Sequence, residues 1–520
     1  MSSTAHFSDA EGFQQQSDNF MSWLQASPGV QLNPKLRLAD LRATGAGRGV
    51  VAQSNIPDGE ELFSIPRAMV LTVQNSELRT LLGENLEEQM GPWLSLMLVM
   101  MYEYLQGEKS RWAPYFRVLP SHFDTLMFWS PAELQELQAS SIVEKIGRSN
   151  AEESIKDSIA PILVKRSDLF PPPPGLTSWE GDAGNAALIQ LGHIMGSLIM
   201  AYAFDIEKAE DDEDEGEAND ESYMTDDEEE EQLPKGMVPL ADLLNADADR
   251  NNARLYQEEG ALVMKAIKPI QQGEEIFNDY GEIPRADLLR RYGYVTDNYA
   301  VYDVLELSLE TICQAAGLAN ASIESQPRLE FLSSLDILED GYVIPRPVNA
   351  NTSLGDILPA ELVVLLATLS LSPEEFQQRV SKDRAPKPVL DANATAILIR
   401  ALQKRQAEYA TSLASDLQFR ASLPPLSESG DINEGARRVR MALQVRIGEK
   451  EVLQAVLGML QPATSDALNH EWLAPASKRN VEKEMCEKRV GGQAKKEEEE
   501  SRIKPATFAA RGNHRNMSEY

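Results

Sequence analysis

"GEEIFNDYG", residues 273–281, decides how the chain is read. Gly273 to Glu275 make a polar turn, Ile276 and Phe277 a short apolar strand, and Asn278 to Gly281 a tight polar corner. Tyr280 stands in that corner, between Asp279 and Gly281. A tyrosine there is either turn filler or a hydroxyl held for chemistry, and the chain around it has to separate the two.

Just upstream, "ARLYQEEGALVMKAI" from Ala253 is two alternating runs joined by Glu-Glu-Gly, which predicts a hairpin. Much earlier, residues 36–72 carry short β-branched runs punctuated by Gly, Asn-x-Pro and Asp-Gly, a meander of strands. Between these regions, about residues 77–205, apolar residues recur at helical spacing, with Pro171 to Pro174 as a stiff interruption. One β region is therefore divided by a long helical insertion, and a further helix is expected over about 12–26. Beyond Tyr292 the pattern reads as almost wholly helical, with amphipathic runs from Ala394 to Leu417 and from Ala436 to Leu460. The expected fold class is α+β: an N-terminal helix within 1–30, a split β domain over 31–295, an all-α domain over 296–462 and a disordered tail over 463–520.

The net charge of −33 is concentrated, since Glu207 to Glu231 holds 16 acidic residues and one lysine. Such a run repels itself and cannot bury apolar surface, so residues 207–235 are expected to be a disordered surface loop. No basic face compensates it, which argues against direct nucleic-acid binding; a basic protein partner suits the charge. Two cysteines and five scattered histidines give no disulfide framework and no expected metal site. No secretory signal opens the chain, and the apolar run from Trp93 is too short to cross a bilayer, so a soluble, intracellular protein is expected, acting as a monomer and without a membrane. Basic patches after Lys478 fit either a solvated tail or a nuclear-import signal, with the nucleus as the expected compartment and the cytoplasm as the alternative.

Four further motifs each have two readings. "GAGRG", Gly45 to Gly49, lacks the third glycine and following helix of a dinucleotide loop, and alone reads as a hairpin turn that lets a ligand approach the backbone. Asp247, Asp249, Asn251 and Glu258 have calcium-loop spacing, but Asn252 replaces the glycine of the sharp turn and a strand follows. Asn245 ends the apolar run from Met237, as a turn residue or as an amide facing a polar ligand near Tyr280. "RADLLRRYGYV" is expected to place Tyr292 and Tyr294 on one face of an extended piece, as core aromatics or as the wall of a channel.

Taken in this order, "GAGRG…LLNAD…EEIFNDYG…LLRRYGYV" resembles the SET-domain protein lysine methyltransferases, in the subgroup typified by the Rubisco large-subunit methyltransferase. "GSLIMAYAFDI", the acidic insertion, "MVPLADLLNAD" and "FNDYG" look most like the branch whose fungal members modify ribosomal proteins, and "RWAPYFRVLP", "MFWSPAEL" and "QVRIGEKEVL" also fit the subgroup. Two departures stand out: the subgroup's Asn-His is Asn245-Ala246 here, and the cysteine-rich zinc segment of many SET enzymes is missing. The resemblance implies a SET β domain with a helical insertion, a helical substrate-binding domain and S-adenosylmethionine as cofactor. It implies that Ala46, Gly47 and Arg48 meet the cofactor through backbone, with Asn245, Ala246, Tyr280 and Tyr292 completing that site. Tyr280 matches the catalytic tyrosine, and Trp112, Asp205, Tyr280 and Tyr294 would contact the protein substrate. The expected activity is monomethylation of a lysine in a large-subunit ribosomal protein. The alternatives are a histone or other non-ribosomal substrate, a catalytically silent SET module that binds a basic peptide, and a calcium-binding helical adaptor.

Overall fold

The computed structural model describes residues 10–42, 46–83, 85–207, 233–318, 326–424 and 434–460. Most of the acidic segment and the whole tail expected to be disordered lie outside the described residues. The chain forms two compact units, residues 1–303 with 410–449, and residues 304–409 with 450–520.

The first unit opens with the helix Ala10–Ala26, which buries Phe13, Phe20 and Leu24. Its strands are short because turns interrupt them. β1 (Gln31–Leu32), β4 (Glu61–Pro66), β8 (Ala261–Ala266) and β7 (Ala253–Gln257) form one antiparallel sheet in the order β1-β4-β8-β7. β2 (Leu36–Asp40), β3 (Arg48–Ala52) and β9 (Glu275–Ile276) form a second, and β5 (Ala203–Asp205) pairs with β6 (Lys235–Met237). The expected hairpin is β7–β8, with Tyr256 opposite Val263 and the turn closed by Glu258 N donating to Ala261 O. Apolar residues from both larger sheets, such as Leu38, Val50, Leu62 and Ile276, share one core with residues of the intervening helices.

Two helices dominate the inserted region. Leu86–Leu105 bends at Gly91, whose φ is 73°, where Pro92 follows. Gly181–Tyr202 is long and apolar enough by composition to cross a membrane, a property the sequence reading had not attributed to any segment. Here it packs against Leu86–Leu105 and Arg285–Tyr292 and buries Leu188, Met195 and Leu198. The segment Arg285–Tyr292 is itself a helix and not the extended piece the sequence suggested. Leu288 and Leu289 enter the core, and Gly293, at φ 76°, ends the helix in the left-handed conformation that favours glycine.

A smaller cluster in this unit joins Leu126, Trp129, Ile142 and Leu289 to Met441, Ala442 and Val445. Polar contacts accompany it. Arg438 bonds to Asp124 and Glu133, and the buried Arg446 pairs with buried Asp416 at 3.1 Å.

The second unit is helical as expected beyond Tyr292, except for one strand pair among its described residues. β10 (Val304–Ser308) and β11 (Gly341–Pro345) run antiparallel, with Leu305 opposite Ile344. "VLEL" alternates as a strand does, but it sits among helical runs that obscure its period. Leu305, Leu307 and Ile344 pack with Leu365, Leu398, Leu402 and Leu453 into this unit's core.

Candidate active site

The corner that opened the sequence reading is built by two chain segments lying side by side. β9 pairs with β3, Val50 facing Ile276, and the chain then runs beside Asn245–Asp247. Asn278 N donates to Asn245 O at 2.8 Å, and Ala246 bridges Asn278 in parallel register. The buried Asn252 clamps the crossing: its Nδ2 donates to Glu275 O at 3.0 Å and its Oδ1 accepts from Phe277 N at 2.8 Å. Asp279 then accepts from Gly281 N at 2.8 Å and from Asn251 Nδ2 at 2.8 Å, while Gly281 turns the chain at φ 80°. Tyr280 is therefore fixed from both sides. Its ring stacks on Tyr292, with centroids 4.0 Å apart and planes within 7°. Tyr294 stands edge-on to Tyr292 at 6.4 Å, and its buried hydroxyl has no hydrogen-bond partner among the described residues.

Gly293 lets Tyr292 and Tyr294 flank the site together. A Cβ there would lie 2.8 Å from Thr125 N, besides requiring a φ that L-residues rarely adopt. Burial drives the Tyr280 phenol well above its ordinary range, and pushes that of Tyr292 up to about 12. Both hydroxyls stay protonated at neutral pH and serve as hydrogen-bonding groups, not as phenolates.

Asn245 ties the corner to the glycine-rich loop. Its Nδ2 donates to Arg48 O at 3.1 Å and to Glu275 Oε1 at 2.7 Å. Gly49 permits this approach: a Cβ on it would come within 2.7 Å of Glu275 Oε1 and 3.1 Å of Asn245 Nδ2. Burial raises the Glu275 carboxyl, against the lowering effect of the Asn245 bond. Ala46 and Gly47 close the loop onto Leu41, Ala46 N donating to Leu41 O and Leu41 N to Gly47 O. Gly47 is left-handed at φ 69°, and a Cβ there would meet nothing within 4 Å, so the backbone borders open space. The Arg48 guanidinium turns away from this space. It lies over the Phe13 ring at 3.8 Å and bonds to Ser17, Gln16 and Val118.

A cavity of about 210 Å³ opens beside Tyr280 and Tyr292, with Tyr202, Asn278, Asp242 and Asp279 among its lining and no cationic side chain. Asp242 and Tyr202 were missed by the sequence reading. The available signal was a lone carboxylate inside the apolar run "MVPLADLL", since an unpaired acid is seldom buried. Asp242 is 6% exposed and accepts from Tyr115 Oη through Oδ2, while among the described residues no hydrogen bond of standard geometry reaches Oδ1. Burial pushes its carboxyl up to about 8, with the Tyr115 bond opposing. At neutral pH it is mostly the neutral acid.

The remaining expected site residues lie elsewhere. Trp112 is 1% exposed, with Nε1 donating to Met69 O at 3.1 Å, so its indole faces the core and presents no surface to a protein substrate. Ser110 turns it inward by accepting from Trp112 N and donating to the buried Glu103. Asp205 lies exposed on β5 and pairs with Lys235 at 2.6 Å. The calcium-like ligands have other partners: Asp247 holds Arg250 and Asn298, Asn251 accepts from Lys268, and Glu258 accepts from Lys265.

Comparison with known proteins supplies the family. The SET domain family matches residues 47–281, and the Rubisco LSMT substrate-binding family matches residues 326–453. Ribosomal lysine N-methyltransferase 4 of Saccharomyces cerevisiae is 37% identical over 366 residues, 68% of each chain. N-lysine methyltransferase SETD6 of Bos taurus is 29% identical over 468 residues, 84% of this chain and 94% of that protein. Among solved structures, Rubisco LSMT bound to AdoMet superposes with a TM-score of 0.63 at 20% identity, over 90% of this chain and 96% of that one. By these matches the chain belongs to the SET-domain protein lysine methyltransferases that carry a Rubisco LSMT-type substrate-binding domain.

Proposed function

We propose that this chain transfers one methyl group from S-adenosylmethionine to a lysine of a large-subunit ribosomal protein, acting as a monomer in the nucleus. The observation that carries the reading is the stacked Tyr280–Tyr292 pair beside a cavity whose acidic lining residues are Asp279 and Asp242, the latter kept mostly neutral by burial. A lysine side chain is an apolar stem with a cationic tip, and this lining suits both parts. The ribosomal target rests on the 37% likeness to the yeast ribosomal enzyme, against 29% to bovine SETD6.

The residues present fit the cofactor. Open space borders the left-handed Gly47, and among the described residues the Asn245 Oδ1 accepts no hydrogen bond. Ala46, Gly47 and Arg48 would hold it by backbone, Asn245 by its amide, and Ala246, Tyr280 and Tyr292 beside it. When bound, S-adenosylmethionine supplies an electrophilic methyl on a sulfonium sulfur.

What the chain contributes is alignment and desolvation. A free lysine has a pKa of about 10.4, so its amine has to lose a proton to water before its lone pair can attack. Burial against Tyr202, Tyr280 and Tyr292 favours the neutral amine. Tyr280, protonated and fixed by its corner, can orient that lone pair toward the methyl, and holding the reacting atoms in line supplies much of the rate. The amine nitrogen would take up the methyl from sulfur, and the methylated product stays an ammonium at neutral pH, so the proton lost before attack is the only one released. Tyr294 places its unpartnered hydroxyl beside the same aromatic pair, which supports stopping after one methyl.

The test is peptide mass spectrometry of a ribosomal-protein fraction incubated with S-adenosylmethionine and either wild type or Tyr280→Phe. Wild type should add a single methyl to one lysine, with turnover roughly 10²-fold lower in the variant and cofactor binding retained. Cofactor binding without transfer to any ribosomal protein would redirect the reading to a non-ribosomal substrate. Loss of both would favour a silent module.

A further inference from the structure

The first unit contains a second cavity, of about 230 Å³, that shares no lining residue with the tyrosine site. Its walls are mainly apolar, with Trp93, Met97, Leu126, Met127, Ile155 and Met200 contributing. Gly192 and Gly196 on the helix Gly181–Tyr202 help to open it, and a Cβ on Gly196 would already stand 3.2 Å from Met97 Cε. Four polar side chains interrupt the wall, those of Thr125, His193, Ser197 and Arg290. His193, held neutral by burial, lies 3.4 Å from Glu152. Thr125 is 3% exposed, and its buried hydroxyl has no partner among the described residues.

This cavity touches the elements that set the catalytic tyrosines. Arg290 lines it, two residues before Tyr292 on the same helix. Thr125 lines it too, and its backbone abuts Gly293, the residue between Tyr292 and Tyr294. Whatever fills the cavity presses on the segment that holds both rings.

We propose that this cavity is a second ligand site, for a small and largely apolar ring compound with one hydrogen-bonding group, and that its occupant alters methyl transfer through Arg290 and Gly293. Size, wall chemistry and the unpaired hydroxyl argue for this occupant. An apolar cavity of about 150 Å³ accepts benzene, so one of 230 Å³ has room for a fused bicycle. Methionine walls adapt to flat rings, and a buried hydroxyl without a partner is costly enough that a ligand supplying one gains affinity.

Indole serves as the probe, titrated into the full chain by thermal shift and calorimetry, with and without S-adenosylmethionine. Saturable binding near the millimolar range is expected for a fragment of this size. Ala151→Phe, which fills the cavity from the helix Arg148–Ser154, should abolish the indole response and keep the cofactor response. Thr125→Val should weaken indole about five-fold, also with the cofactor response intact, and it carries the test if Ala151→Phe does not fold. At saturation, indole should change the wild-type transfer rate at least about two-fold and leave Ala151→Phe unaffected. No saturable shift in wild type, or the same shift in both variants, overturns the site. Binding that leaves the transfer rate unchanged overturns the coupling. The cofactor arm reports separately on the methyltransferase reading.

Discussion

Replacing Asp242 by asparagine should make the protein's stability less dependent on pH, in one direction only. The folded carboxyl is raised from 3.8 to about 8, chiefly because burial penalises its charge. Below about pH 4 the acid is protonated in both folded and unfolded chains, and no penalty operates. Between about 4 and 8 the unfolded chain releases the proton while the folded chain keeps it, so stability falls as pH rises. Above 8 both forms are ionised and the loss levels off. Each pKa unit corresponds to about 1.4 kcal/mol, which sets an upper limit on the order of 5 kcal/mol. Asparagine keeps an oxygen to accept from Tyr115 Oη and cannot ionise. Thermal unfolding of wild type and Asp242→Asn should be compared across pH 5–9. The variant should gain on wild type as pH rises, by several degrees at pH 8–9, because about 1 kcal/mol moves the midpoint by roughly 2–4 °C in domains of 150–250 residues. Other titrating groups enter both curves alike and cancel in the difference. Parallel curves, or an asparagine variant that loses ground above pH 7, would refute the assignment of a buried, neutral acid.

Two further outcomes test the pocket itself. Gly49→Ala places a Cβ within 2.7 Å of Glu275 Oε1 and 3.1 Å of Asn245 Nδ2, so it should lower stability by about 1–3 kcal/mol and weaken cofactor binding, read by denaturant melts and calorimetry. Unchanged cofactor affinity would detach the Asn245–Glu275 bond from that site. Tyr294→Phe removes a buried hydroxyl with no partner among the described residues, so stability should hold or rise by up to about 1 kcal/mol while di- and trimethylated products appear in mass spectra. Monomethylation alone, with stability lost, would mean that the hydroxyl is satisfied and does not limit the product.

The parts of this site that could be read from sequence are those whose geometry is local. The β7–β8 hairpin follows from alternation and a Glu-Glu-Gly turn, and the polar corner around Tyr280 from Asp279 and Gly281. Tyr292 was placed on the wrong element because two tyrosines flanking a glycine look extended. The helical spacing of Leu288, Leu289 and Tyr292 carried the correct signal. Asp242 escaped because its meaning depends on Tyr115, distant in sequence and local only in space. Trp112 illustrates the reverse case: a resemblance points it at a substrate, but Ser110 and Met69 O draw its indole into the core. The Asn245–Glu275–Gly49 contact joins β3, β9 and the loop after Leu243, and no window along the chain contains it.

The division of the chain also dictates an order of assembly. Every residue proposed to act on cofactor or methyl lies before Asp303, yet the unit that contains them includes residues 410–449. During synthesis, Met441, Ala442 and Val445 emerge well over a hundred residues after Leu289, which at about 5–20 residues per second is a wait of several seconds or more. Throughout that interval Leu126, Trp129 and Leu289 lack part of their cover, while residues 304–409 emerge from the ribosome ahead of the missing partners. A nascent chain in this state exposes apolar surface beside an almost finished pocket, which is the kind of surface chaperones bind. A fragment ending at Asp303 would stay in that condition permanently, with its chemistry encoded and its core open.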